Sequence, residues 1–134
     1  MVKKVVVKPY NNGEWTVARY NSFVMSALRK ARWPIKYSAL RRAFVKNGVN
    51  PKTGRKCKLH RCAECKGLFM QKEVAIDHIE TVTPLTGFVS WDDTISRLFC
   101  EIEGFQILCK PCHAIKTKEE NTARRLHKKK QTTL

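Results

Sequence analysis

Acidic residues are nearly missing from the first 60 positions, where Glu14 stands alone against 15 lysines and arginines. A segment so short of negative charge does not neutralise itself, so it needs polyanionic company, and nucleic acid is the first candidate. Long hydrophobic runs are also missing: the longest span only a few residues, too short to cross a bilayer. Met1 to Pro9 offers three consecutive valines between lysines, which is no signal-peptide core. Without a secretory signal, the six cysteines argue against a disulfide scaffold and for metal ligation in a reducing cytoplasm. No heptad pattern is present, so a monomer or weak dimer is expected.

What is there suits one folded domain with a short arm. The chain has 134 residues, 43% of them hydrophobic, and a chain of that length buries roughly 68% of its unfolded surface. The net charge of +16 is unevenly spread. Residues 61–104 are mildly acidic, with eight acids against four cations, and residues 105–134 are basic again. Basic arms flanking an acidic centre suit an enzyme that holds phosphates at its edges and a cation in its middle. A charge run is more often plain solvated surface, but 15 cations against one acid makes that reading the poorer one.

The pattern predicts a short strand at Val5–Val7 and a turn at Asn11-Asn12-Gly13. Asn21 or Ser22 then caps a helix burying Phe23, Val24, Ala27, Leu28 and Ala31, which Pro34 stops. Ser38 caps a second helix with Leu40, Ala43 and Phe44 inward, and Gly48 ends it. Arg29, Lys30, Arg32, Lys36, Arg41 and Arg42 are the candidate nucleic-acid contacts of this helical pair. The pair has the outline of a helix-turn-helix; a purely structural pair is an equal reading. Asn47–Lys58 reads as a linker. Val74–Ile79 and Phe105–Leu108 are strand-like. Asp92 or Asp93 caps a short helix, Pro111 opens a final one, and Lys128–Lys130 reads as a frayed end.

Two CxxC pairs, Cys62/Cys65 and Cys109/Cys112, are separated by 43 residues. Each such turn brings two sulfurs to one point, and two turns complete a tetrahedron around Zn²⁺. Free thiols or a redox motif are the lesser alternative. Cys57 and His60 lie near the first pair and could substitute in it. Cys100 reads as a small buried hydrophobe. A closed four-cysteine site is structural, because no coordination position stays open for substrate. Chemistry must then lie elsewhere. Asp77-His78 sits on the strand between the pairs, and His113 follows Cys112 in the first turn of the last helix. A carboxylate and an imidazole make a two-ligand site for a divalent cation, leaving His78 as general base.

These pieces resemble the HNH endonucleases. The resemblance runs through Cys62-x2-Cys65, Val74-Ala75-Ile76-Asp77-His78-Ile79, Phe105-Gln106-Ile107-Leu108-Cys109 and Cys112-His113-Ala114-Ile115-Lys116-Thr117. It extends to Pro84-Leu85-Thr86-Gly87-Phe88, Trp91-Asp92-Asp93 and Arg97-Leu98-Phe99-Cys100, which look like the phage-encoded branch, and covers roughly residues 20–121. It implies an α+β fold: a small zinc-stabilised ββα-metal, treble-clef-like domain at 57–121. Flanking it would be a basic, mainly helical DNA-contacting extension at 1–56 and a basic tail at 122–134. It implies that Asp77 and His113 hold catalytic Mg²⁺ or Mn²⁺, that His78 activates water, and that Cys62, Cys65, Cys109 and Cys112 hold structural Zn²⁺. Two departures stand out. Gly104 occupies the position of the family's middle asparagine, which braces the catalytic histidine's loop; Glu101, Glu103 or a backbone carbonyl would have to replace it. Thr81 stands where many members carry proline.

The implied function is metal-dependent hydrolysis of DNA phosphodiester bonds, most simply by nicking, with 5′-phosphate and 3′-hydroxyl products, in DNA processing, packaging or homing. Lys116, one turn after His113, is within reach of phosphate, or is a solvated helix lysine. The implied location is the cytoplasm, of the bacterial host if phage-encoded, with a phage or host protein as a further candidate partner. A second reading stays open: a non-catalytic zinc module binding nucleic acid or protein, favoured by Gly104 and disfavoured by the intact Asp77, His78 and His113.

Overall fold

The computed structural model describes residues 2–132. The fold is a small α+β arrangement with, among the described residues, four α-helices and two small antiparallel sheets. The chain divides into two compact units at Arg32/Trp33.

In the first unit, Asn11, Asn12 and Gly13 all have positive φ, as a tight turn requires, and Asn and Gly tolerate it best. The turn pairs Tyr10 with Trp15. Tyr10 stacks on Tyr20 at 3.9 Å, and Trp15 meets Phe23 at 5.2 Å. Helix α1 (Val17–Arg29) is capped by Thr16, whose hydroxyl accepts from the Arg19 amide at 3.2 Å. The cap therefore lies earlier than Asn21 or Ser22, because Thr16 already offers a side-chain acceptor. Phe23 is more than half exposed, and α1 contains no buried residue. Val5–Val7 form no strand and are exposed; an isolated strand has no ladder to complete.

The second unit begins at Trp33, whose indole N–H donates to the Cys100 carbonyl at 2.7 Å while its ring edges onto Phe99. Pro34, not Ser38, takes the N-cap position of α2 (Ile35–Arg42). Ser38 lies inside that helix and accepts from the Arg41 guanidinium. Gly48 does not end it. The stretch expected to be a linker is a hairpin, β1 (Phe44–Val49) with β2 (Lys56–Arg61), and β3 (Leu68–Met70) pairs with the inner end of β2. Gly48 sits opposite Cys57, where a Cβ would come within 2.7 Å of the Leu59 side chain. The boundary expected at 56/57 thus falls inside a hairpin.

The second sheet pairs β4 (Val74–His78) with β5 (Phe105–Cys109), with Asp77 opposite Gln106 and His78 opposite Phe105. Between them lies α3 (Trp91–Leu98), capped by Ser90 rather than Asp92 or Asp93. Helix α4 (Lys110–Thr132) follows β5 directly and carries Lys128–Lys130 in regular helix. The last two positions of the expected tail lie outside the described residues. Strand β5 packs against α2 and α4 and is buried at four of its five residues. The hydrophobic cluster of Cys62, Leu108 and Cys109, with Ala63, Phe69 and Cys112 against it, is also where the two CxxC turns meet.

Candidate metal centre and adjoining acid–histidine site

The first CxxC turn is shaped by its backbone. The Cys62 amide donates to Gly67, the Lys66 amide returns to Cys62, and Lys66 adopts positive φ. The Ala63 amide donates to Ile107 at 2.8 Å and fastens this turn to β5. The second turn is the junction of β5 and α4. Together they bring the sulfurs of Cys62, Cys65, Cys109 and Cys112 within 4.8 Å of one another, with Cys65 and Cys109 at 3.9 Å. Zn–S bonds of ~2.3 Å in a tetrahedron need sulfur–sulfur edges of about 3.8 Å, so the cluster is of the size that binds a zinc ion. Cys62 and Cys109 are fully enclosed. Burial opposes ionisation of Cys62, but the amides of Cys109, Cys65 and Glu64 outweigh it and bring the thiol down to about 6. Cys112, hydrogen-bonded to Cys109 and partly buried, is pushed up to about 12. Sulfurs so close cannot all ionise unless a cation joins them. Cys57 and His60 stand on β2 outside the cluster.

The β4–β5 register and the start of α4 converge on a second site. Asp77 is 8% exposed. Its Oδ2 accepts from Gln106 Nε2 and from Lys116 Nζ, each at 2.9 Å, and its Oδ1 faces His113 Nε2 at 3.6 Å. Lys116 also binds Glu120 at 2.6 Å and the His78 carbonyl at 2.9 Å. Burial alone would lower the pKa of Lys116, but its contacts with Glu120 and Asp77 raise it, so the ammonium stays charged. Lys116 is therefore an internal cation of this site, not a freely solvated side chain.

His78 is held from three sides. Its Nε2 lies 2.9 Å from the Leu98 carbonyl, its ring tilts over Phe105 at 4.7 Å, and the next amide, Ile79, donates to the Gly104 carbonyl. A carbonyl only accepts, so Nε2 carries the proton of the neutral ring and Nδ1 is the basic nitrogen. A backbone carbonyl, that of Leu98, thus supplies a brace, and both Glu101 and Glu103 have exposed side chains. Gly104 has no room for an asparagine: a Cβ there would stand 2.5 Å from Cys100 Sγ. The segment after His78 is tied down by Arg97, which binds Asp93, Glu80 and the Thr81 carbonyl, and by Arg124 on the Thr83 carbonyl.

Gln106, Glu120, Leu98 and Arg97 complete this site and were not singled out for it in the sequence. Glu120 had a visible signal, its i+4 spacing from Lys116. Gln106 had one as well, a polar residue inside an apolar strand. The Leu98 carbonyl has no sequence signature. Of the candidate nucleic-acid residues, Arg29, Lys30, Arg32, Arg41 and Arg42 are exposed and Lys36 is half-buried. No described helix is long and apolar enough to cross a membrane. Compared with protein-family models, curated proteins and solved structures, the chain matches none.

Proposed function

We propose that the protein is a metal-dependent endonuclease of the HNH type, with a structural zinc at the four cysteines and hydrolytic chemistry at Asp77, His78 and His113. The observation that carries the reading is an oriented histidine next to a carboxylate–imidazole pair in which Asp77 is buried and His113 is partly open to solvent. Asp77 Oδ1 and His113 Nε2 lie 3.6 Å apart. Adjacent ligands of a small octahedral cation, at bond lengths of ~2.1 Å, are about 3.0 Å apart, so a small closure brings this pair into range. Asp77 and His113 would hold Mg²⁺ or Mn²⁺, which when bound supplies positive charge to a phosphate oxygen and to the leaving oxygen.

The chain's own groups do the rest. His78 accepts the proton of the attacking water at Nδ1, and its Nε2–H bond to Leu98 keeps the ring oriented. Gln106 and Lys116 fix the rotation of Asp77 through Oδ2, leaving Oδ1 toward His113. The water adds in line at phosphorus, and the 3′ oxygen departs with the electron pair of the broken P–O bond.

A supercoiled-plasmid assay with Mg²⁺, Mn²⁺ or EDTA tests this, with wild type and His78→Ala side by side. Metal-dependent nicking by wild type, lost in the folded variant, is the expected result. Nicking retained by His78→Ala removes its role. No cleavage by folded, zinc-loaded wild type with any metal favours the binding-module reading.

A further inference from the structure

The hairpin β1–β2 has a feature that the site described above does not use. Its outer half, from Asn47 to Lys58, lies beyond the reach of β3, which pairs only with Leu59–Arg61. It therefore extends from the sheet as a two-stranded ribbon. The tip is firmly built: Asn50 and Arg55 pair through their backbones, the Gly54 amide returns to the Asn50 carbonyl, and the Asn50 side chain accepts from the Lys52 amide. Gly54 has the positive φ that the turn needs.

The ribbon carries Lys52, Arg55, Lys56 and Lys58 and no acid, and Lys46 stands at its base. Among the described residues, none of these five pairs with an acidic side chain. Lys56 and Lys58 are two apart on one strand and so point to the same face, where like charges repel. Beside them opens a cleft of about 460 Å³ whose lining includes Lys56, Lys58, Lys72, Asn47, Asn50 and Gln71 alongside the apolar Cys57 and Met70. Ammonium groups with neutral amide donors, and no carboxylate, suit phosphodiester oxygens.

We infer that this ribbon and its cleft form a binding surface for duplex DNA, with the Lys56–Lys58–Lys72 cleft holding the phosphate backbone and the ribbon lying in the major groove. The inference deepens the nuclease reading and rests on it for DNA as the polyanion. Strands ~4.8 Å apart make a ribbon that the ~12 Å major groove of B-form DNA admits, whereas the narrow major groove of A-form RNA does not.

Binding is measured in EDTA on a His78→Ala background, so it is read independently of cleavage. The probe is a 20-base-pair DNA duplex across a salt series. The triple variant Lys56→Ala/Lys58→Ala/Lys72→Ala is compared with a charge-matched variant on α2, Lys36→Ala/Arg41→Ala/Arg42→Ala. Melting temperature and zinc content certify each fold. Loss of three phosphate contacts is expected to flatten the slope of log K against log salt by about 2 to 3. It should also weaken binding at 100 mM salt by about tenfold or more, and by more than the α2 variant does. An unchanged slope, equal losses from the two variants, or tighter binding of a matched RNA duplex would each overturn the inference. If wild type fails to cleave DNA while the cleft variant still loses duplex binding, the nuclease reading fails and the surface stands.

Discussion

His60 is buried, 3% exposed, on β2, with its ring edge against Phe44 and its Nδ1 lacking a hydrogen-bond partner. Burial, with Lys58 nearby, lowers its pKa below the ordinary 6.5. The unfolded chain therefore takes up this proton first as pH falls. Its stability contribution is complete above about 6.5 and is lost as pH descends from there toward the lowered folded value. The melting temperature of the zinc-loaded protein is expected to drop more between pH 7.5 and 5.5 in wild type than in His60→Leu; parallel curves would contradict this. Gly104 gives a second test at the same scale. A Cβ there meets Cys100 Sγ at 2.5 Å and Cys100 Cβ at 3.0 Å, so Gly104→Ala should cost about 1–3 kcal/mol by overpacking. Combining it with Cys100→Ala removes the sulfur and should recover part of the loss, read as coupling in a denaturant double-mutant cycle. Simple additivity would place the strain elsewhere.

Helix α3 connects stability to the proposed chemistry. Ser90 Oγ accepts from the Asp93 amide at 3.1 Å, and Asp92 and Asp93 sit favourably in the first turn. The carbonyl of Leu98, its last residue, holds the His78 ring. Ser90→Ala should cost about 1 kcal/mol and slow nicking, with zinc content unchanged. A stability loss with an unaltered nicking rate would separate α3 from the orientation of His78. At this scale the sequence is legible where one physical cause dominates. The apolar runs around Asp77 and before Cys109 mark β4 and β5, because both faces of those strands are largely covered. The β1–β2 hairpin is hidden for the opposite reason: lysines and apolar residues mix along it, and its Pro-Lys-Thr-Gly turn looks like a linker. Caps shift because Thr16, Pro34 and Ser90 compete with neighbours of similar capping ability, and tertiary fit decides among them.

For the whole molecule, the four cysteines join the β2–β3 turn to the β5–α4 junction within the same cluster that forms the apolar core. That junction also sets where α4 starts and hence where His113 and Lys116 point. The CxxC spacing made this frame legible, because few chemistries other than zinc ask for two such turns. Gln106 showed only as a polar residue inside an apolar strand, its partner Asp77 being set by strand register, and the Leu98 brace was not legible, because it is a backbone carbonyl. Zinc ligation should therefore be worth much of the folding free energy. One zinc per chain is expected by metal analysis, and Cys109→Ser or a strong chelator should lower the melting temperature markedly. An unchanged melting curve after zinc removal would contradict the structural role.

The most direct test of the central claim is a divalent-metal titration of plasmid nicking by zinc-loaded wild type and His113→Ala. The account predicts nicking that saturates with Mn²⁺ or Mg²⁺ in wild type. In the variant it predicts a requirement for about tenfold more metal, or no nicking at all, with zinc content unchanged. Superimposable titrations, or no nicking at any metal concentration by the folded wild type, would contradict it.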